Sequence, residues 1–243
     1  VHIYGHPVDM DPLYDLAHHY NLTIIEDAAE AHGAEYKHRR CGSFGELSCF
    51  SFYANKIITT GEGGMVLTDR QDLAEKARAL RNLYFGQKER FLHEDIGFNF
   101  RLTNLQAAIG LAQLETIEER LAKKQWMAMA YRERLKDIQL LQLPVEKPWA
   151  TNVYWMYGVV VDPKSGYNAR RLGEKLKEQG IETRPFFIGL HQQPALIKRG
   201  LVPNEPFPVS TYLSQQGLYL PSGLTLTESQ IDRVCEALRQ ILR

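Results

Sequence analysis

The chain has 243 residues, enough for one large domain or two smaller ones. Hydrophobic residues make up 44%, the share of a packed globular protein, and Lys+Arg and Asp+Glu balance at 29 each, so no general attraction to nucleic acid or an anionic membrane follows. No apolar run approaches the ~20 residues of a membrane-spanning helix, and the start carries no signal-peptide pattern. Three cysteines, Cys41, Cys49 and Cys235, are an odd number without CxxC spacing and point to a reducing cytoplasm. The eight histidines form no metal signature. His2 and His6 are four apart, but Pro7 follows and no helical pattern surrounds them, so no metal site is expected.

The first residue is Val1, and the opening Val1–Pro7 reads as the end of a strand and its loop. The expectation is a chain that begins in the middle of a fold, lacking its natural N-terminus. Asp9 or Asp11 can cap a helix through Asp11–Tyr20, with Pro12 early in it and Asn21 ending it. The run 22–26 is short, β-branched and buried in character. Residues 33–45 are polar and Gly-containing, a hairpin or loop. Leu47–Tyr53 and Gly64–Thr68 read as strands around a glycine-rich loop, and Gln71–Leu83 as a helix. This alternation predicts an α/β layered domain. Thr103–Asp137 is rich in helix formers, with Leu111, Leu114, Ile117 and Leu121 on one face, and predicts one helix or two joined end to end. Beyond Pro144 and Pro148 follow a strand at Val153–Val161, a helix at Asn168–Gln179 closed by Gly180, a strand at Ile181–Thr183 and a final amphipathic helix at Thr227–Leu242. The second half thus reads as a smaller α/β domain.

Lys56 is the residue with the most chemistry around it. It stands in Ser51-Phe52-Tyr53-Ala54-Asn55-Lys56-Ile57-Ile58-Thr59-Thr60-Gly61-Glu62-Gly63-Gly64, downstream of the apolar run that ends in Glu26-Asp27-Ala28-Ala29-Glu30. An acid at a strand end, then a lysine beside hydroxyls and glycines, is what pyridoxal phosphate chemistry needs. The lysine forms a Schiff base with the aldehyde, the acid keeps the pyridine nitrogen protonated, and the hydroxyls can accept the phosphate. Taken singly, Asp27 is as well a loop acid or cap, and Lys56 a surface lysine. Gly61, Gly63 and Gly64 fit neither GxxxxGK[ST] nor GxGxxG; their expected role is positive φ or close backbone approach beside the lysine.

The segments EDAAEAHGA, SFYANKIITTGEGGMVLTD, GFNFRLTNLQAAIGLAQLE and ETRPFFIGLHQQPAL occur in order along the chain. With them the sequence resembles the DegT/DnrJ/EryC1/StrS family of sugar aminotransferases, and within it the perosamine-synthase-like members that act on GDP-4-keto-6-deoxymannose. The resemblance implies an α/β chain of fold type I, the aspartate-aminotransferase architecture. Residues 1–130 would be the C-terminal part of the large cofactor-binding domain and 131–243 the small C-terminal domain. It implies pyridoxal 5'-phosphate as cofactor, glutamate as amino donor, a cytoplasmic homodimer with shared active sites, and a place in surface (lipopolysaccharide) polysaccharide biosynthesis. By resemblance Asp27 pairs with the pyridinium nitrogen, Lys56 is the Schiff-base lysine, and Ser51 meets the cofactor phosphate. Glu30 falls near the ring hydroxyl, where many members carry glutamine. Either Asn99 or Arg101 reaches the neighbouring subunit's phosphate. Arg184, Phe187 and His191 lie near the sugar nucleotide, while Phe186 reads as a core aromatic. Three rivals stay open: a UDP- or dTDP-linked keto sugar as substrate, a dehydratase of the same fold, which the lysine at position 56 disfavours, and a non-catalytic fragment.

Overall fold

The computed structural model describes residues 1–86, 89 and 91–242. Two compact units divide the chain: Val1–Ala122 with Glu146–Trp155, and Lys123–Val145 with Met156–Arg243.

In the first unit α1 (Met10–Tyr20) ends at Asn21, whose left-handed φ of 52° turns its N–H back to the Ala17 and His18 carbonyls. Neither aspartate caps this helix through its side chain. Asp9 holds the cap position without a capping bond and instead accepts the Tyr36 hydroxyl at 2.8 Å, while Asp11, inside the first turn, pairs with Lys37. Strand β1 (Ile25–Asp27) precedes a tight hairpin of β2 (Glu35–Tyr36) and β3 (Arg39–Arg40), inside the region expected to turn. Strands β4 (Leu47–Ser51) and β5 (Gly64–Leu67) follow. β4 is central in the sheet β1-β4-β5, parallel to β1 with Asp27 opposite Cys49, and antiparallel to β5 with Ser51 opposite Gly64.

The 22–26 run departs from the buried strand that its composition predicts. Leu22 and Ile25 are exposed, Ile25 at 70%, whereas Glu26 is buried. Successive strand residues face opposite ways, so Ile25 and Glu26 cannot share a face. On this strand the buried face is the one bearing the acid.

Helix α2 (Gln71–Arg81) is followed by α3 (Asn104–Leu114), opened by a capping box in which Thr103 and Gln106 satisfy each other's backbone N–H. A break at Glu115–Thr116 separates α3 from α4 (Ile117–Leu135), so the long helical stretch is two helices end to end. The expected single apolar face splits there. Leu121 is buried against Gly33, while Leu111 and Leu114 are exposed and line a cavity with Ile117.

After α4 the chain forms β6 (Leu141–Gln142) in the second unit, then returns to the first as β7 (Ala150–Thr151), which pairs with β2. The strand expected over Val153–Val161 is confined to β8 (Tyr157–Val161). Val153 instead donates to the Gly5 carbonyl, and Tyr154 takes a left-handed φ of 46°. The second unit continues with α5 (Ala169–Glu178), β9 (Arg184–Pro185), α6 (Pro194–Ile197), α7 (Pro208–Gln216), β10 (Gly217–Leu220) and α8 (Glu228–Ile241). Ile181–Thr183 forms no strand: the Ile181 N–H turns back to the Leu176 carbonyl to close α5, and pairing starts at Arg184. The sheet order is β6-β8-β10-β9, antiparallel throughout. Tyr131, Tyr157, Leu172, Leu176, Leu218, Ile231 and Leu238 are fully buried at its core, each leucine or isoleucine contributing about 1.5–3 kcal/mol by leaving water.

Candidate active site

Lys56 sits in the loop between β4 and β5, and the sequence of that loop closes it on itself. Phe52 exchanges backbone bonds with Gly63 and Thr60, the Thr59 hydroxyl donates to the Phe52 carbonyl and accepts the Gly61 N–H, and the Thr60 hydroxyl donates to the Glu62 carbonyl. Gly61 and Gly63 take positive φ of 78° and 153°, and a Cβ on Gly63 would stand 2.5 Å from the Thr60 hydroxyl, so the glycines have the expected conformational role. Thr59 and Thr60, grouped by sequence with hydroxyls that could meet a phosphate, spend theirs inside the loop. Helix α3 fastens the loop from outside: Gln113 accepts the Thr59 N–H and donates to its carbonyl, and Gln106 donates to the Glu62 carbonyl.

The amine of Lys56 lies between two side chains. Its Nζ is 3.7 Å from Glu30 Oε1 and 3.9 Å from the centre of the Trp155 ring. Burial pushes the ammonium's pKa below the ordinary lysine value, and the charges of Glu30 and Asp27 oppose that push. Glu30 moves the other way. Burial raises its pKa, while the Tyr4 N–H, bound at 2.7 Å, and Lys56 draw it down without cancelling the rise. Asp27 ends β1, half-buried, with its Oδ1 accepting the Ala29 N–H at 3.0 Å. Ser51 ends β4 and accepts the Tyr53 N–H through its hydroxyl oxygen, which leaves its O–H as a donor. Asp27, Glu30, Ser51 and Lys56 therefore come together in the first unit, at the ends of two adjacent strands and the loops that follow them.

Two neighbouring side chains carry no expected role. Glu26 is buried and gathers five donors: His2 Nε2–H at 2.8 Å, the N–H groups of Gly42, Phe44 and Gly45, and the Ser48 hydroxyl. Burial alone would raise its pKa, but these bonds win and bring it down to about 2. His2, Glu26 and Cys41 place ligand atoms within 4.8 Å of one another, a spacing open to a metal ion. The bonding favours a structural lock instead. His2 Nδ1 is already occupied by the Val8 N–H, the carboxylate by its five donors, and burial pushes the Cys41 thiol up to about 12. His32 is buried against Phe50 and Phe52, and neither ring nitrogen finds a hydrogen-bond partner. The Ser51 backbone lies near it without hydrogen-bonding geometry. Burial first, then the Lys56 charge, lowers its pKa to about 4. It borders a cavity of about 500 Å³ with Phe50, Phe52, Met65, Leu102 and Leu111.

Asn99 and Arg101 are exposed on the segment leading into α3, joined by an Arg101 Nε–H bond to Asn99 Oδ1 at 2.9 Å. The candidate sugar-nucleotide residues belong to the second unit. Arg184 is exposed on β9 beside Tyr219. Phe187 is 55% exposed and meets Tyr219 edge-on. His191 is half-buried, bonded through Nε2 to the Thr211 hydroxyl at 3.0 Å and tilted on Phe207. Phe186 packs as the sequence suggests, stacked on Tyr219 in a notch left by Gly158 and Gly217.

The family model for the DegT/DnrJ/EryC1/StrS aminotransferase family matches residues 1–239. The GDP-perosamine synthase of Caulobacter vibrioides is 41% identical over 100% of this chain and 65% of its own length, and that of Escherichia coli O157:H7 36% identical over 99% and 64%. The crystal structure of S. venezuelae DesV in complex with a ketimine intermediate superposes with a TM-score of 0.89 at 35% identity, covering 100% of this chain and 64% of that one. The chain thus spans about two thirds of the length of its relatives. Its fold is the expected α/β architecture of these enzymes, and the chain belongs to the DegT/DnrJ/EryC1/StrS aminotransferase family.

Proposed function

We propose that this protein works in the pyridoxal-phosphate-dependent transfer of an amino group, from glutamate, to a 4-keto-6-deoxy sugar linked to a nucleotide. The observation that carries the reading is the Lys56 amine, drawn from water, flanked by Glu30 and within the field of Asp27. The residues present fit pyridoxal phosphate chemically: an amine of lowered pKa, a carboxylate at a strand end, and a hydroxyl at the end of the next strand. Lys56 would hold the cofactor's aldehyde end, Asp27 its ring nitrogen, Ser51 its phosphate, and Glu30 would lie on the side of the ring oxygen. Asn99 or Arg101 would complete the phosphate site of a partner subunit, which makes the working form a homodimer with shared sites.

When bound, the cofactor supplies an aldehyde for the amine and a ring that accepts the electron pair released at carbon. The chain's own residues handle the protons. Burial brings the neutral and protonated forms of Lys56 closer in energy, so Nζ can take a proton and return it. Asp27 would hold the cofactor's ring nitrogen protonated through a charge-assisted bond. Arg184, Phe187 and His191 are proposed to meet the sugar nucleotide. The GDP-linked substrate rests on the two perosamine synthases. A dTDP-linked sugar is the second reading, because the dTDP-3-amino-3,4,6-trideoxy-alpha-D-glucose transaminase of Streptomyces venezuelae is 35% identical over 99% of this chain and 62% of its own length.

The deciding experiment adds pyridoxal phosphate, reduces with borohydride and maps the modified peptide by mass spectrometry. The reading expects label on Lys56, lost in Lys56→Ala; label spread over other lysines alone would refute it. Turnover with glutamate and GDP- or dTDP-linked 4-keto sugars then separates the two substrates.

A further inference from the structure

The Trp155 ring is tied to the backbone that carries Lys56. Its Nε1–H donates to the carbonyl of Asn55 at 2.9 Å, which fixes the indole one residue before the lysine. The Lys56 Nζ lies over this ring, 3.9 Å from its centre. The backbone of Trp155 is pressed on Gly5, where a Cβ would stand 2.9 Å from the Trp155 nitrogen. Tyr4, next to that glycine, donates its N–H to Glu30 Oε2 and stacks its ring on Trp155 with centroids 6.5 Å apart. One short segment therefore positions both neighbours of the amine.

The electrostatics of the two neighbours agree. The indole face is the negative part of the ring quadrupole and attracts an ammonium, more strongly where water is removed. The Glu30 carboxylate attracts it from 3.7 Å. The other titratable groups acting here are Asp27, whose charge also favours the ammonium, and His32, neutral and buried. We propose that Trp155 is a positioning residue for Lys56: its indole face and the Glu30 carboxylate form a site for the lysine ammonium, in which the amine rests whenever cofactor and substrate leave it free. The proposal rests on the reading of Lys56 as the reactive lysine. It gives that lysine a defined place to wait as a cation, offsetting a burial that disfavours its charge.

The test is made on the protein without cofactor. Trace acetylation with acetic anhydride across pH, read at the Lys56 peptide by mass spectrometry, yields the pKa of that amine. Trp155→Leu keeps the site apolar and removes the ring, and is expected to lower this pKa by about one unit, tenfold in the acid dissociation constant. Trp155→Phe, which keeps a weaker aromatic face, should fall between leucine and wild type. Glu30→Gln should also lower it. A merely structural indole would leave the Lys56 titration where it is, so an unchanged or raised pKa in Trp155→Leu overturns the proposal. A second arm needs no variant to fold. In the unmutated protein the Lys56 ε-methylene protons should resonate upfield of ordinary lysines through the indole ring current, and a resonance at the ordinary position overturns it as well. The borohydride labelling is independent of both arms, so failure of the cofactor reading and failure of the ammonium site are told apart.

Discussion

His2 Nε2–H donates to Glu26 at 2.8 Å between two side chains that are both buried, and through Glu26 the opening of the chain is tied to the turn before β4. A buried carboxylate with five donors cannot give up its charge without leaving those donors unmatched. Glu26→Gln keeps the shape and loses the charge. It should cost at least about 3 kcal/mol, the equivalent of moving a pKa from 4.5 to about 2. The sign follows from the depressed folded-state pKa: the contribution is complete above pH 4.5 and is lost as pH falls towards 2. Urea midpoints of wild type and variant should converge across that window, and parallel curves would show that the carboxylate charge is not what stabilises the fold.

His32 shapes the next pH window up. Its folded-state pKa is lowered from 6.5 to about 4, so the unfolded chain takes up a proton there that the folded chain refuses. Stability should be intact above pH 6.5 and fall by about 3 kcal/mol as pH drops towards 4. His32→Phe, whose ring suits the contacts with Phe50 and Phe52, should remove this acid sensitivity while leaving the Glu26 window in place. Equal loss of stability between pH 6.5 and 4.5 in variant and wild type would count against His32 as its source.

Gln113 grips Thr59 by both backbone groups, accepting at 3.2 Å and donating at 2.6 Å, so α3 holds the lysine loop as a strand would. Gln113→Leu removes both hydrogen bonds to Thr59, at about 1 kcal/mol each, along with the one to the Ile109 carbonyl within α3. Amide exchange across residues 57–63 should quicken by about thirtyfold, with little change in β4. Unchanged exchange in that loop would mean that its internal bonds suffice.

How much of this was legible in the sequence follows from the range of each interaction. The strand-loop-strand around Lys56, the Gly180 stop and the final helix rest on local chemistry, and the sequence reading found them. The first two motif segments carry Asp27, Glu30, Ser51 and Lys56, which the structure brings to one place. What stayed hidden depends on partners far along the chain. Trp155 meets Lys56 across 99 positions, and Gln113 meets Thr59 across 54; no spacing rule reaches that far. Glu26 was open to detection, since it alternates with Ile25 on a strand, but an apolar run invites the assumption that its hydrophobic residues face inward. The connection at 153–156 has β-branched and aromatic residues like a strand, and bends because Gly5 lets it pack closely.

Asp27 carries the charge prediction for the proposed chemistry. At the end of β1 its carboxylate is half-buried and acts on the Lys56 ammonium. Asp27→Asn keeps the Ala29 N–H bond and removes the charge, so the fold should survive. Turnover should fall by at least about a hundredfold, about 2.7 kcal/mol in barrier. A loss below threefold, with the thermal midpoint unchanged, would reduce Asp27 to a loop anchor.

Phe186 and Gly217 fit closely in the second unit. The Phe186 N–H donates to the Gly217 carbonyl at 2.8 Å, and a Cβ on Gly217 would stand 2.1 Å from the Phe186 ring. Gly217 has an ordinary extended backbone, φ −90°, so alanine there meets no conformational penalty and the cost is steric. Gly217→Ala should destabilise by about 1–3 kcal/mol as the ring is driven from its rotamer or out of the notch. It should also disturb Arg184 and Phe187, which flank the displaced ring in sequence. Shrinking the ring with Phe186→Leu in the same chain should recover part of the loss, although Phe186→Leu alone costs stability. That non-additivity in a double-mutant cycle is the measurement that matters. Strict additivity would mean that the ring yields without resistance, and the notch formed by Gly158 and Gly217 would then have no hold on the Arg184–Phe187 segment.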